Sequence, residues 1–115
     1  MKIRTVYFKV SDLKEVDFWK NFLDAEPHKI TPSWHEFLIG DIRLGFLLND
    51  FEDRYSGSNC VPVLEFADDE IGTWVDKAKK LGAKVVFDGL KEEKTQSIVF
   101  RDPAGNEFEL TKFHD

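Results

Sequence analysis

The sequence predicts an α+β fold, in which two βαβββ modules form one curved mixed sheet with helices outside and a concave cavity inside. Apolar residues follow the two-residue period of strands in some segments and helical spacing in others. The order strand, capped helix, three strands is found in residues 1–48 and again in residues 60–115. The polar segment 49–59, which contains Ser-Gly-Ser, has the composition of a linker. Because one module could not bury both faces of its sheet alone, we expect a single domain over residues 1–115.

The first module opens with residues 3–10, whose β-branched and aromatic side chains predict a strand. Asp12 can cap the helix that follows, and Glu15 is placed to complete a capping box. Apolar residues then keep helical spacing through about residue 24, while Gly40 and Asp41 suit a tight hairpin. The remaining strands predicted for this module are a short edge strand at residues 28–30 and strands at residues 34–39 and 42–48.

The second module repeats this order, with Phe66-Ala-Asp in the place that Val10-Ser-Asp takes in the first module. Asp68 and Asp69 are expected to open its helix, which Gly82 ends. The run Asp-Pro-Ala-Gly-Asn at residues 102–106 is a strong turn signal before the last strand. The strands predicted for this module are residues 60–66, 84–87, 95–100 and 107–113.

The charge balance excludes several kinds of partner. A formal net charge of −6 and a pI near 5.1 disfavour binding to nucleic acid or to an anionic membrane surface. Cys60 is the lone cysteine, which excludes an internal disulfide and a multi-cysteine zinc cluster and fits a reducing compartment. No apolar stretch has the length of a signal peptide or a membrane span. We therefore expect a cytoplasmic protein.

Aromatic residues are abundant, with 11 Phe, 3 Trp and 2 Tyr in 115 residues. They must be buried in a core, line a pocket or lie at a partner interface. Trp19 and Trp74 lie on predicted helix faces and are expected in the core. Four others are expected either in the core or dimer interface or as a clamp over a flat ligand: Trp34, Phe37, Phe51 and Tyr55. This aromatic content and the open edges of the sheet predict a homodimer that binds a small organic molecule.

Strand alternation places Thr5, Tyr7 and Lys9 on the face of the first strand that looks into the cavity, because the residues between them must meet the helices. The other strands contribute to the same face Arg43, Gly45, Leu47, Val61, Val63, Glu65, Glu107, Glu109 and Thr111. The candidate ligand-binding residues are Tyr7, Lys9, Trp34, Arg43, Glu65 and Glu109. Glu109 is also the candidate catalytic residue. Its alternative is a structural ion pair with Lys9 or Arg43 across the cavity mouth.

Two motifs carry a resemblance to a known family. Residues 6–13, Val-Tyr-Phe-Lys-Val-Ser-Asp-Leu, resemble the opening strand and helix start of the vicinal oxygen chelate family. Residues 100–110, Phe-Arg-Asp-Pro-Ala-Gly-Asn-Glu-Phe-Glu-Leu, resemble its closing hairpin. This family contains the glyoxalases, the bleomycin-resistance proteins and the ring-cleaving (extradiol) dioxygenases. The resemblance implies paired βαβββ modules, a concave cavity and often a dimer.

In the enzymes of that family, four side chains from four strands hold a divalent metal that chelates two adjacent substrate oxygens. The positions that match here are Thr5, Val61, the neighbourhood of Gly45, and Glu109. Of these, Glu109 alone carries a metal-binding side chain, and one carboxylate cannot hold the ion firmly. No spacing brings together the three histidines, His28, His35 and His114. We therefore expect no metal and no other cofactor.

The sequence thus predicts a metal-independent small-molecule binding protein of the bleomycin-resistance and glyoxalase-like type, which performs no chemistry. One alternative is an enzyme: a glyoxalase-like lyase, an isomerase or a dioxygenase whose metal site is rearranged or absent. A metal-free isomerase would use Glu109 as its general base. The other alternative is a dimeric interaction module without a small ligand.

Overall fold

The computed structural model describes residues 1–48 and 60–113, and within them one eight-stranded sheet carries two helices. The expected linker 49–59, with Phe51 and Tyr55, and the C-terminal His114 lie outside the described residues. In this described part of the chain, neither helix is long and apolar enough to cross a lipid bilayer.

The strands of the first module are β1 (Lys2–Val10), β2 (Lys29–Ile30), β3 (Trp34–Ile39) and β4 (Ile42–Leu48). Those of the second are β5 (Cys60–Glu65), β6 (Lys84–Gly89), β7 (Ser97–Arg101) and β8 (Glu107–Thr111). The helices are α1 (Val16–Leu23), after a 3-10 turn at Leu13–Glu15, and α2 (Ile71–Lys80). The sheet order is β2-β3-β4-β1-β5-β8-β7-β6, with β1 parallel to β4, β5 parallel to β8, and the other pairs antiparallel. The predicted mixed sheet of two βαβββ modules is confirmed.

The predicted capping box at the start of the first helix is also present. The Asp12 carboxylate accepts a hydrogen bond from the backbone N–H of Lys14 at 2.9 Å, and the Glu15 carboxylate accepts one from that of Asp12 at 2.9 Å. The first helical turn is a 3-10 turn, so α1 proper begins at Val16 rather than directly after the cap. The cap fixes the direction in which the chain leaves β1.

The start predicted for the second helix is wrong by two to three residues. Asp68 and Asp69 lie in a turn in which the N–H groups of Glu70 and Ile71 both donate to the carbonyl of Ala67, at 3.0 and 3.2 Å. The helix α2 therefore begins at Ile71, with no side-chain hydrogen bond at its cap. Acidic residues near a helix start are as compatible with this turn as with a first helical turn.

Two clusters of apolar side chains fill the space between the sheet and the helices. Trp19 packs against the cluster under α1, and Trp74 packs against the one under α2, as expected. The buried members under α1 are Val10, Val16, Phe37 and Phe46, and those under α2 are Phe66, Ile71, Val75, Ile98, Phe100 and Leu110. The helices therefore cover one face of the sheet, which leaves the opposite face to form the cavity.

The turn before β8 requires positive φ at Gly105, which has φ +96°. No heavy atom lies within 4 Å of the position that a Cβ would take there, so only backbone strain opposes a side chain. Gly105→Ala is expected to lower the free energy of unfolding by roughly 1 kcal/mol in urea denaturation.

The matched control is Gly72→Ala, the same substitution inside α2, where a Cβ also meets nothing within 4 Å. Because alanine favours a helix over glycine, this variant should gain about 0.5–1 kcal/mol. Shifts of the same sign in the two variants would contradict the assigned turn.

Candidate ligand-binding site

A cavity of about 380 Å³ lies on the face of the sheet opposite the helices, and each of the eight strands contributes at least one residue to it. Thr5 and Tyr7 of β1 line the cavity, whereas Phe8 and Val10 pack into the cluster under α1. The predicted alternation of β1 therefore agrees with the structure for Thr5, Tyr7, Phe8 and Val10, whereas Lys9, also expected to face the cavity, does not line it. The aromatic lining residues are Tyr7, Trp34, Phe87 and Phe113, and the charged ones are Arg4, Lys29, Glu36 and Glu109.

Of the six candidate ligand-binding residues, the structure brings Tyr7, Trp34 and Glu109 together in this cavity. The other three do not line it, and each forms an ion pair or hydrogen bond with a residue of opposite charge on another strand. These are Lys9, whose Nζ lies 2.7 Å from Glu107 Oε1; Arg43, whose Nε lies 3.7 Å from Glu36 Oε2; and Glu65, whose Oε1 accepts a hydrogen bond from Arg4 at 3.0 Å.

Glu109 projects into the cavity from β8, beside Val63 of β5. Its Oε1 accepts a hydrogen bond from the hydroxyl of Tyr7 at 3.3 Å. Among the residues that the structure describes, no cation forms an ion pair with it, so the alternative pairing with Lys9 or Arg43 is wrong. Burial raises the pKa of Glu109 to about 7, against the opposing effect of the Tyr7 and Ser97 hydroxyl groups. Near neutral pH this carboxyl can therefore either donate or accept a proton.

The wall beside Glu109 is aromatic. The rings of Tyr7 and Trp34 meet edge to face, with centroids 5.4 Å apart and planes at 70°. The indole lies directly over Gly45 of β4, since a Cβ on that glycine would be 2.1 Å from the Trp34 Cη2 atom. The indole Nε1 also donates to Glu36 Oε1 at 3.1 Å. Glycine at position 45 is thus required for the position of the tryptophan.

Gly45→Ala is expected to displace the Trp34 indole and to lower stability by about 1–3 kcal/mol, the usual cost of an overpacked site. Thermal or urea denaturation measures the loss. In a Trp34→Leu background the same substitution should cost much less, because the colliding ring atoms are gone. An equal cost in both backgrounds would contradict the close contact between the two residues.

Several lining residues were not among the candidates, and the charged ones are Arg4, Lys29 and Glu36. Glu36 lies two positions after Trp34 on β3, and its Oε2 lies 2.6 Å from His28 Nε2. Strand alternation applied to β3 would have found it. Arg4 and Thr5 are adjacent in β1, so alternation predicts that they face opposite sides of the sheet, yet both line the cavity. The pairing of β1 with β5 shifts register between Ile3 and Thr5, which accounts for this exception. The sequence carries no signal for that irregularity.

The residues at the four metal-ligand positions of the resembled family do not fit a divalent metal. Val61 is fully buried among Tyr7 and Val63, and the indole of Trp34 fills the space beside Gly45. Thr5 and Glu109 are the two oxygen-bearing side chains left. Within residues 1–48 and 60–113, no group of three or more His, Cys, Asp or Glu side chains could hold a metal ion. Metal sites of the catalytic kind need three or more protein ligands.

The chain belongs to the glyoxalase/bleomycin resistance protein/dioxygenase superfamily, whose family model matches residues 5–110. The resemblance inferred from the two sequence motifs is therefore confirmed. A comparison with curated proteins finds no match.

Several solved structures share the fold. An NAD-dependent benzaldehyde dehydrogenase from Legionella pneumophila has 17% identity over 96% of this chain and 98% of that chain, with a TM-score of 0.75. A hypothetical protein from Bacillus halodurans has 13% identity over 99% of this chain and 95% of that chain, with a TM-score of 0.69. An uncharacterized protein from Methanosarcina mazei has 16% identity, the same coverage of 99% and 95%, and a TM-score of 0.58. At these identities the likeness shows the fold alone.

Proposed function

We propose that this protein binds a small, flat organic molecule in the cavity without the help of a metal ion. The observation that carries the proposal is the Glu109 carboxylate beside the Tyr7 hydroxyl, next to the Trp34 ring, in a cavity of about 380 Å³. Ligand sites in proteins typically combine a cavity of about 300–1,000 Å³, aromatic walls and a few polar groups that fix orientation. A flat ring against Trp34 would bring a polar edge to Glu109.

In this proposal the protein is cytoplasmic and acts as a homodimer. Two exposed rings on α1, Phe18 and Phe22, support a dimer: they are 64% and 70% exposed and stack with centroids 5.9 Å apart. Light scattering at micromolar concentration tests it, and the mass of a single chain would refute it.

A second candidate function is a metal-free isomerase. The pKa of Glu109, raised to about 7 by burial, is close to the value that suits a general base at neutral pH. Glu109 would remove a proton from a carbon beside a carbonyl group and return it to a neighbouring atom of the same substrate. Exchange of a ligand C–H proton for deuterium in heavy water, lost in Glu109→Gln, would support this function over binding alone.

The test of the binding proposal uses a library of planar aromatic compounds and the intrinsic fluorescence of Trp34. In a Trp19→Phe/Trp74→Phe variant, Trp34 is the remaining tryptophan and reports on the cavity. Binding should quench its emission, raise the melting temperature and persist after treatment with a chelator. If no compound in the library quenches the emission and raises the melting temperature, the proposal is refuted. If a compound binds but no longer does so after treatment with a chelator, metal independence is refuted.

A further inference from the structure

Glu36 and Glu109, the carboxylates that line the cavity within residues 1–48 and 60–113, differ in the groups that compensate their charge. Glu36 Oε2 lies 2.6 Å from His28 Nε2 and 3.7 Å from Arg43 Nε, and its Oε1 accepts a hydrogen bond from the Trp34 indole. Glu109 has the neutral hydroxyl groups of Tyr7 and Ser97 instead. Within the described residues no cation pairs with Glu109. Of the carboxylates that line the cavity from the described residues, Glu109 is therefore the one whose negative charge has no cation beside it.

Neither of the two described cations that line the cavity, Arg4 and Lys29, forms an ion pair with Glu109. The Arg4 guanidinium donates to Glu65 Oε1 at 3.0 Å and lies 5.3 Å from the centroid of the Phe113 ring. Lys29 is exposed on β2, the short strand at the edge of the sheet. The neighbouring strands β5 and β7 present apolar or hydroxyl groups to the cavity. The titratable and charged groups that share the cavity with Glu109 are Arg4, Tyr7, Lys29 and Glu36.

We infer that the ligand of this cavity is an aromatic organic cation, whose protonated amine binds the Glu109 carboxylate while its ring lies against Trp34. This inference rests on the proposed function and names the class of ligand. A carboxylate in a poorly solvated site is stabilised by a cation within hydrogen-bond distance. The aromatic side chains of Tyr7, Trp34 and Phe87 in the cavity lining favour the same cation further. At pH 8, where Glu109 is largely ionised, it would repel an anionic ligand.

Binding of a cation must be linked to a proton. Because burial raises the pKa of Glu109 to about 7, a fraction of the free protein carries the neutral acid at neutral pH. A bound ammonium favours the carboxylate, so binding at pH 6.5 releases a proton to the buffer. Below pH 7 the affinity should fall about tenfold for each pH unit, and above pH 8 it should be constant.

Three probes with the same ring and different charges test the inference by titration calorimetry: 2-naphthylmethylamine, 2-naphthylmethanol and 2-naphthoate. The amine remains protonated between pH 5 and 8, so any change in its affinity there comes from the protein. At pH 8 the amine should bind at least about tenfold more tightly than the alcohol, the factor that corresponds to about 1.4 kcal/mol. The naphthoate should bind most weakly. Measurements at pH 6.5 in two buffers of different ionisation enthalpy report the released proton.

Glu109→Gln should abolish both the preference for the amine and the proton release, whereas Glu93→Gln, at an exposed position outside the cavity, should change neither. Equal or tighter binding of the alcohol or the naphthoate would overturn the cation inference and leave the proposed function intact. Failure of all three probes to bind would overturn the inference, and the library screen would then decide the proposed function separately. If Glu109→Gln still binds the amine more tightly than the alcohol, another group binds the ammonium, and the role of Glu109 is overturned.

Discussion

Glu107→Gln is expected to lower the free energy of unfolding by about 3–5 kcal/mol, the usual cost of breaking a buried ion pair. Glu107 Oε1 lies 2.7 Å from Lys9 Nζ, and the two side chains are 0% and 1% exposed. A second cation, Arg101, lies 3.6 Å from the other carboxylate oxygen. Removal of the carboxylate charge leaves a neutral amide beside an ammonium group that water cannot reach. Urea denaturation at pH 7 measures the loss.

The matched control is Asp68→Asn, which removes the carboxylate of the more exposed pair between Lys112 and Asp68, 3.1 Å apart. Exposed pairs contribute about 1 kcal/mol or less, so this variant should remain close to the wild type. Replacement of both buried partners, as in Lys9→Met/Glu107→Leu, should recover most of the loss because neither member of the buried pair then remains without the other. Similar losses in Glu107→Gln and Asp68→Asn would contradict the assigned burial.

Glu109→Gln is expected to have the opposite effect on stability, and this effect depends on pH. Burial raises the pKa of the folded-state carboxyl to about 7, whereas an unfolded chain has an ordinary value of about 4.3. Folding therefore opposes ionisation, and the wild type loses stability as the pH rises from about 4 to about 7. Glutamine resembles the neutral acid and avoids this loss. The variant should be more stable than the wild type by up to about 3 kcal/mol at pH 8, with little difference at pH 4.5.

Urea denaturation of the wild type and of Glu109→Gln between pH 4.5 and pH 8 measures the sign of the stability difference at each pH. Glu93→Gln controls for the loss of one negative charge from a protein whose formal net charge is −6. That control should show a small difference that changes little with pH. A Glu109→Gln variant less stable than the wild type at pH 8 would mean that the ionised carboxylate stabilises the fold.

Much of the fold was predictable because it depends on local patterns. The bounds predicted for β3 and β4 agree with those observed, since the hairpin at Gly40 and Asp41 separates two mainly apolar runs. The start of α2 was not predictable from the acidic residues at 68 and 69, because a turn and a first helical turn favour the same residue types. The register shift between Ile3 and Thr5 has no sequence signal either.

The candidate site was predictable only where it depends on the alternation of side chains along a strand. Alternation gives the face of the sheet to which a residue belongs, and Tyr7 and Glu109 were found in this way. It does not give the ionic partner of a residue on that face. Lys9 and Glu107 are separated by 98 positions in the sequence, so their pairing depends on how the two modules join. The same holds for Arg4 and Glu65, which are separated by 61 positions.

The contact between Trp34 and Gly45 constrains the order in which mutations at these two positions can accumulate. A histidine or glutamate at position 45 would place its Cβ 2.1 Å from a ring atom of Trp34, so while the tryptophan is present such a side chain must displace the indole and lower stability. Replacement of Trp34 by a smaller residue before the change at position 45 avoids that loss of stability, but it removes the indole from the aromatic wall that Trp34 forms with Tyr7. The two positions are therefore epistatic. In either order, an evolutionary or laboratory route to a metal ligand at position 45 passes through an intermediate in which the indole is displaced or lost and the metal is not yet bound.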